Sequence, residues 1–215
     1  MPDVEHYIAV VAGTTLLPTP LVSEVSLYCA ENAYDVWNLT DDGDESAPIP
    51  FWSFPWAGGQ ALARYILDHP DIVAGRRVLD LAAGSGLVAI AAAVAGAAEV
   101  TANDIDPYAA AAQELNAKAN RVAIISQVGD VLDAETDAEV VLAGDVCYER
   151  ELSDRTLAFL IRAHRRGADV LLGDPGRTYL PRERLAEVAS YDVPTTLVLE
   201  DQQTKRTTIW TLRAN

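Results

Sequence analysis

The chain has 215 residues, half of them apolar, with 16 Lys and Arg against 32 Asp and Glu and a formal net charge of −16. That length and apolar content suffice for one domain with a full core. An acidic surface repels a phosphate polyanion, which argues against nucleic acid as a direct partner; it suits a cationic substrate or a basic patch on another protein as well as it suits plain solubility.

Residues 1–50 read as an N-terminal extension packed on the core, and residues 51–215 as the main domain. The N-terminus lacks the basic start of a secretory signal. The apolar run Ile8 to Leu17 is too short to span a bilayer and is broken by Gly13 and two threonines. Cys29 and Cys147 form neither a disulfide framework nor a zinc pattern, so a reducing, cytoplasmic setting without membrane or metal is expected. A short strand is predicted over Val25 to Ala30, followed by an exposed acidic turn at Asp41 to Ser46. Pro48 to Gly59 concentrates two of the four tryptophans and two of the three phenylalanines between prolines and a Gly-Gly pair.

A helix from Gln60 to Asp68 leads into alternating elements: strands at 77–81, 99–103, 122–126, 139–143 and 168–172, and helices at 87–95, 107–119, 151–166 and 181–189. The strands are continuous apolar runs such as Val140 to Ala143, a pattern that needs burial on both faces of a parallel sheet. Tyr191 to Glu200 and Lys205 to Leu212 read as an antiparallel hairpin at the sheet edge. The expected architecture is α/β: a doubly wound, mostly parallel seven-stranded sheet of Rossmann-like type with a C-terminal antiparallel hairpin.

The site signal is Val78-Leu-Asp-Leu-Ala-Ala-Gly-Ser-Gly86, a buried strand running through Asp80 into a glycine turn, with Asp104 at the tip of the next strand. Such a unit binds a nucleotide. Gly84 to Ala89 also fits a dinucleotide fingerprint, but Asp80 directly before the glycines would oppose a pyrophosphate, and none of the three histidines lies in a motif suited to hydride transfer. S-adenosylmethionine accounts for the same residues: Asp80 for its α-amino group, Gly84 and Gly86 for close backbone approach, Asp104 for the ribose hydroxyls, Ile105 for one adenine face, and Asp130 with Val131 for the adenine edge. Asp106, before Pro107, reads as a helix cap, and Cys147 as a small buried residue.

Five segments, Pro50 to Tyr65, Val78 to Gly86, Ala102 to Pro107, Ala143 to Glu149 and Gly173 to Arg177, resemble class I, seven-β-strand methyltransferases, and more narrowly the electron transfer flavoprotein β-subunit lysine methyltransferases and their bacterial relatives. The resemblance implies a methyltransferase domain over 51–215, S-adenosylmethionine as cofactor with S-adenosylhomocysteine as product, and Trp56 as a wall of the cofactor pocket. Ala82 stands where many class I enzymes carry the first glycine of the loop; alanine is small enough for the cofactor to fit. The family's D-x-x-Y pattern falls on Asp145 and Tyr148 at the fourth strand's tip, near the methyl acceptor. Asp145 would bind and orient an ammonium and Tyr148 would hydrogen-bond the amine, with a cap for the next helix as the alternative for Asp145. Asp174 and Arg177 read either as a wall of the acceptor site or as an ordinary Asp-Pro-Gly turn. The expected reaction is lysine N-methylation of a protein such as the electron transfer flavoprotein β-subunit. The alternatives are methylation of a small amine or heterocycle, a cofactor-binding scaffold and, more remotely, an NAD-dependent enzyme.

Overall fold

The computed structural model describes residues 4–30, 50–195 and 201–213; the Asp41 to Ser46 turn and residues 196–200 of the expected hairpin lie outside them. Helix α1 (Val4–Ala12) and the antiparallel pair β1 (Thr15–Pro18) and β2 (Ser26–Cys29) precede the main sheet. A 3-10 turn at Phe51–Ser53 leads to α2 (Ala57–Asp68). Then follow β3 (Arg77–Leu81), α3 (Leu87–Val94), β4 (Glu99–Asp104), α4 (Pro107–Ala119), β5 (Ile125–Val128), β6 (Val140–Gly144), α5 (Arg150–Arg165), β7 (Asp169–Asp174), β8 (Leu185–Pro194) and β9 (Thr204–Leu212).

The seven strands β3 to β9 order as β5-β4-β3-β6-β7-β9-β8, with β9 antiparallel to both its neighbours. The chain runs outward from β3 to β5 on one side and returns at β6 on the other. The direction of winding therefore reverses between β3 and β6, and a crevice opens there at the strands' C-terminal ends, where open α/β sheets bind ligands. The strands are apolar on both faces because both are covered: α2 and α3 close one side through Leu62, Ile66, Val88 and Ile90, and α5 closes the other through Phe159 and Leu160.

Three expectations need correction. The helix predicted over 181–189 is absent: Arg182–Arg184 makes one 3-10 turn, and Leu185 enters strand β8. Pro181-Arg-Glu-Arg-Leu-Ala-Glu has good helix-forming composition, but propensity is a weak prior. Nine positions of β8 pair with β9, and Arg213 anchors the start of the strand through its Nε bond to the Leu185 carbonyl. Among the described residues the hairpin's first strand is therefore Leu185–Pro194, starting at Leu185 and not at Tyr191. The strand expected at 122–126 begins at Ile125, because Val122 N–H still closes the end of α4 on the Ala117 carbonyl. Val122 and Ile124 earn their apolar character by packing on the core before pairing starts.

Helix α2 meets the sheet glycine on glycine. A Cβ on Gly173 would lie 2.2 Å from the Gly58 carbonyl oxygen, and one on Gly144 would lie 2.9 Å from the Gly59 Cα. This contact brings the aromatic segment ahead of α2 to the mouth of the crevice. On the other side, α1 packs on α4, and Trp52 stacks against Tyr108 with ring centroids 6.3 Å apart. Among the described residues no helix is long and apolar enough to cross a membrane, and no group of three or more His, Cys, Asp or Glu is arranged to hold a metal ion.

Candidate active site

The turn after β3 carries left-handed backbone at Ala82 (φ 52°), Gly84 (φ 50°) and Gly86 (φ 80°). Gly86 also has a packing reason, since a Cβ there would press on Gln113 Cγ at 3.1 Å. Ala82 adopts the conformation without the glycine that would make it cheap. Asp80, 1 % exposed, accepts a 2.9 Å hydrogen bond from Ala89 N–H in the first turn of α3. Burial pushes its carboxyl up to about 8, against the pull of that N–H. Asp80 thus occupies one of the N–H groups at the start of α3, the end where a dinucleotide's pyrophosphate would sit. Asp80 reaches a hollow of about 50 Å³, shared with Trp56, Ala82, Gly84 and Gly144, that adjoins the main cavity; it does not line the main cavity itself.

Asp104 ends β4. Its carboxylate accepts from Gly84 N–H at 2.8 Å and Asp106 N–H at 3.1 Å, which ties the strand tip to the glycine turn. Burial raises its carboxyl above the ordinary range. Asp106 caps α4 by accepting from Tyr108 N–H at 2.8 Å, as expected from the following proline; burial pushes it up to about 6. Ile105 stands 72 % exposed at the rim. Asp130 is held at the surface: it takes Leu132 N–H at 3.0 Å and Arg155 at 2.8 Å, and these bonds lower its carboxyl. Each of its oxygens is engaged once, and the side chain still lines the cavity.

These elements enclose a cavity of about 490 Å³ at the C-terminal ends of the strands. That volume suits a small-molecule or cofactor ligand. Its apolar walls come from Trp52, Trp56, Leu81, Ile105, Val131 and Leu132, and its carboxylates are Asp104, Asp106, Asp130 and Asp145. The cations that line it, Arg155 and Arg177, are each matched to a carboxylate. Flat apolar walls with carboxylates facing inward suit a nucleoside bearing positive charge and oppose a polyanion.

Asp145 follows β6 with left-handed backbone, φ 57°. One carboxylate oxygen accepts from Gly58 N–H in the first turn of α2; the other accepts from Arg177 Nε at 2.8 Å and Nη2 at 2.7 Å. The carboxylate thus caps α2, while α5, which starts at Arg150, has Glu149 at its N-cap with no side-chain bond. Burial pushes its carboxyl up to about 6, moderated by Arg177. Arg177 also places its guanidinium carbon 5.8 Å from the Trp56 ring centre. Asp174 does not line the cavity: its Oδ1 accepts from the Gly176 and Arg177 N–H groups at 2.6 and 2.7 Å and shapes the turn that carries Arg177. Tyr148 is 47 % exposed at the cavity wall, and Cys147 is buried with its thiol pushed up to about 12 by desolvation.

The cavity brings together Trp56, Ala82, Gly84, Asp104, Ile105, Asp130, Val131, Asp145, Tyr148 and Arg177 from the sequence reading, and leaves Asp80, Gly86 and Asp174 as its supports. It adds Phe51, Asn103, Leu132, Arg155 and Thr156. Asn103 donates to the Gln127 and Gly129 carbonyls at 3.0 and 2.9 Å and so pins the β5 loop. Phe51 lies in the aromatic segment already conspicuous in the sequence, whereas Arg155 and Thr156 arrive through the approach of α5 and carry no local signal. Trp52 is both packed, as its aromatic character alone suggests, and a cavity wall.

The family model for ribosomal protein L11 methyltransferase (PrmA) matches residues 61–146. The electron transfer flavoprotein beta subunit lysine methyltransferase of Danio rerio is 40% identical over 170 residues, 76% of this chain and 66% of that protein. The Xenopus laevis protein of the same name is 37% identical over 89% of this chain and 80% of its own length, and that of Homo sapiens 37% over 82% and 67%. Among solved structures, a ribosomal protein L11 methylase from Lactobacillus delbrueckii aligns with a TM-score of 0.51 at 19% identity, covering 73% of this chain and 79% of the other. Magnesium protoporphyrin IX methyltransferase from Synechocystis, solved with bound SAM, aligns at 0.53 and 15% identity over 72% and 78%. At such identities these two likenesses concern the fold alone.

Proposed function

The chain belongs to the electron transfer flavoprotein beta subunit lysine methyltransferase family, and from that premise we propose that it methylates the ε-amine of a lysine in a protein resembling the electron transfer flavoprotein β-subunit. The observation that carries the reading is the cavity itself: carboxylates at the tips of β4 and β6, Asp104 and Asp145, on either side of aromatic and aliphatic walls. S-adenosylmethionine fits this donor set, being a cationic nucleoside with a carbon chain, and when bound it supplies an electrophilic methyl group on a sulfonium. Asp104 would hold its ribose hydroxyls, Ile105 and Val131 would cover its adenine, Trp56 would form a wall of the pocket, and the Ala82 to Gly86 turn would let backbone approach it.

The acceptor side asks for a neutral amine. A free lysine, with pKa near 10.4, is neutral in fewer than about one molecule in a thousand at pH 7. A lone carboxylate would attract its ammonium but would also raise its pKa and resist deprotonation. Asp145 is not alone: Arg177 offsets its charge, while Gly58 N–H holds its second oxygen in place. The pair can therefore orient an amine without strongly stabilising the protonated form, and orientation by itself contributes several kcal/mol to such a displacement. Tyr148 offers a hydroxyl for the amine at the same wall.

Incubation of the protein with methyl-labelled S-adenosylmethionine and an electron transfer flavoprotein tests this reading. Label is expected on β-subunit lysines and is expected to disappear when those lysines are substituted. Label that persists on a lysine-free acceptor, or turnover confined to free amines, would defeat the proposal.

A further inference from the structure

Large aromatic side chains normally close the core, yet Phe51 and Tyr148 stand 41 % and 47 % exposed on the wall of the cavity. Their ring centroids are 5.5 Å apart at an interplanar angle of 41°, and Phe51 is 5.9 Å from Trp56 at 59°. Tilted rings at these distances do not stack flat on one another, so their faces stay available. Trp56 is held in place: its indole N–H donates to the Phe51 carbonyl at 2.8 Å, which locks the two residues together. The three rings come from two segments, the 3-10 turn ahead of α2 and the loop after β6, and both are fixed by the Gly58 to Asp145 bond.

The surroundings are negative. Burial pushes the Tyr148 hydroxyl above the ordinary phenol range, and the charges of Glu149 and Asp104 add to it. A guanidinium, that of Arg177, already lies beside the Trp56 face, its charge answered by Asp145. Aromatic faces next to uncompensated carboxylates attract organic cations, and attract least-hydrated ones best.

We propose that Phe51 and Tyr148, braced by Trp56, form a vestibule that receives the acceptor's alkylammonium through cation–π contact and excludes neutral chains of the same shape. This deepens the lysine reading and rests on it for the identity of the acceptor. Phe51 thereby becomes a specificity-determining residue that has no part in proton transfer.

The test uses two small probes of equal shape, the cation choline and its neutral isostere 3,3-dimethyl-1-butanol, on the full chain saturated with S-adenosylhomocysteine, with binding read by calorimetry or ligand-observed NMR. Choline is expected to bind at least several-fold more tightly than the alcohol and to compete with a lysine acceptor. Phe51→Leu keeps the apolar volume but removes the ring; it is expected to weaken choline by roughly two- to fivefold and to raise the acceptor KM more than it lowers kcat. Phe51→Tyr should restore both. Equal affinity for the two probes overturns the vestibule, as does a Phe51→Leu variant that loses S-adenosylhomocysteine binding in step with choline, because the ring would then belong to the cofactor's wall. The lysine reading is scored separately in the same preparation: choline discrimination without methyl transfer to any protein lysine supports the vestibule and defeats the lysine acceptor, while transfer without discrimination does the reverse.

Discussion

The Gly58 contact makes the sharpest prediction, because two adjacent glycines in one helix should respond in opposite directions to the same substitution. In Gly58→Ala the new methyl would lie 2.3 Å from the Gly173 carbonyl oxygen, 2.6 Å from Asp145 Oδ2 and 2.8 Å from Asp145 N. Two of these three atoms are backbone, one in β7 and one directly after β6, so the helix must move. Overpacking of this kind costs about 1–3 kcal/mol. The displacement also lengthens the Gly58 N–H bond to a buried carboxylate, worth about 1.5–3 kcal/mol. Replacing glycine inside a helix returns about 1 kcal/mol. The net loss is roughly 2–5 kcal/mol, which for a chain of this size lowers Tm by about 5–15 °C. In Gly59→Ala the nearest atom to the new methyl is Val88 Cγ2 at 4.0 Å, an ordinary contact, so the helix gain stands alone and Tm should rise by about 2–4 °C. Urea and thermal unfolding of the two variants beside the wild type measure both signs. A Gly58→Ala protein within about 1 kcal/mol of wild type would falsify the claim that α2 and the sheet meet without room for a methyl.

Other substitutions probe the site's electrostatics and backbone. Asp80 has a folded-state pKa of about 8 against an ordinary 3.8, so its contribution is favourable at low pH, where both states are protonated, and is lost as pH rises through that interval. Asp80→Asn, which can still accept from Ala89 N–H, should therefore flatten the loss of stability between pH 5 and 8.5 and gain more over wild type at the upper end; parallel pH profiles of the urea midpoint would rule this out. Ala82→Gly relieves a left-handed alanine and should stabilise by about 0.5–1 kcal/mol in chemical denaturation; a loss of stability would show that Ala82 is not strained. Asp104→Ala removes the acceptor for Gly84 and Asp106 N–H groups and the expected ribose contact. At a concentration 100 times its Kd for the wild type, S-adenosylhomocysteine stabilises by about 2.7 kcal/mol, and the variant should lose most of that shift in a thermal-denaturation series.

What could be read along the chain were features with a local physical cause. Apolar runs without alternation, such as Val140 to Ala143, require a strand buried on both faces, and the structure pairs that strand on both sides. Asp106 before Pro107 reads directly as a cap. Pro181 to Val188 shows the limit: its helical composition is outweighed because Leu185 opens a strand, Leu185–Pro194, that makes nine pairings with a strand beginning at Thr204, and nothing within the segment announces that partner.

Asp80 and Asp145 mark the same boundary within the site. The order of residue types, an acid before a glycine turn and another at the next strand's tip, by itself specified a nucleotide-binding crevice in a doubly wound sheet. Which carboxylate faces the crevice and which is consumed by the scaffold was decided only when the helices docked. Asp80 turned inward to serve the start of α3, and Asp145 was drawn between Gly58 and Arg177 because three glycines let α2 sit directly on the sheet. Residue type sets what chemistry a position can perform; the docking of helices on the sheet sets which partner each charge is given, from Ala89, 9 residues past Asp80, to Gly58, 87 residues before Asp145.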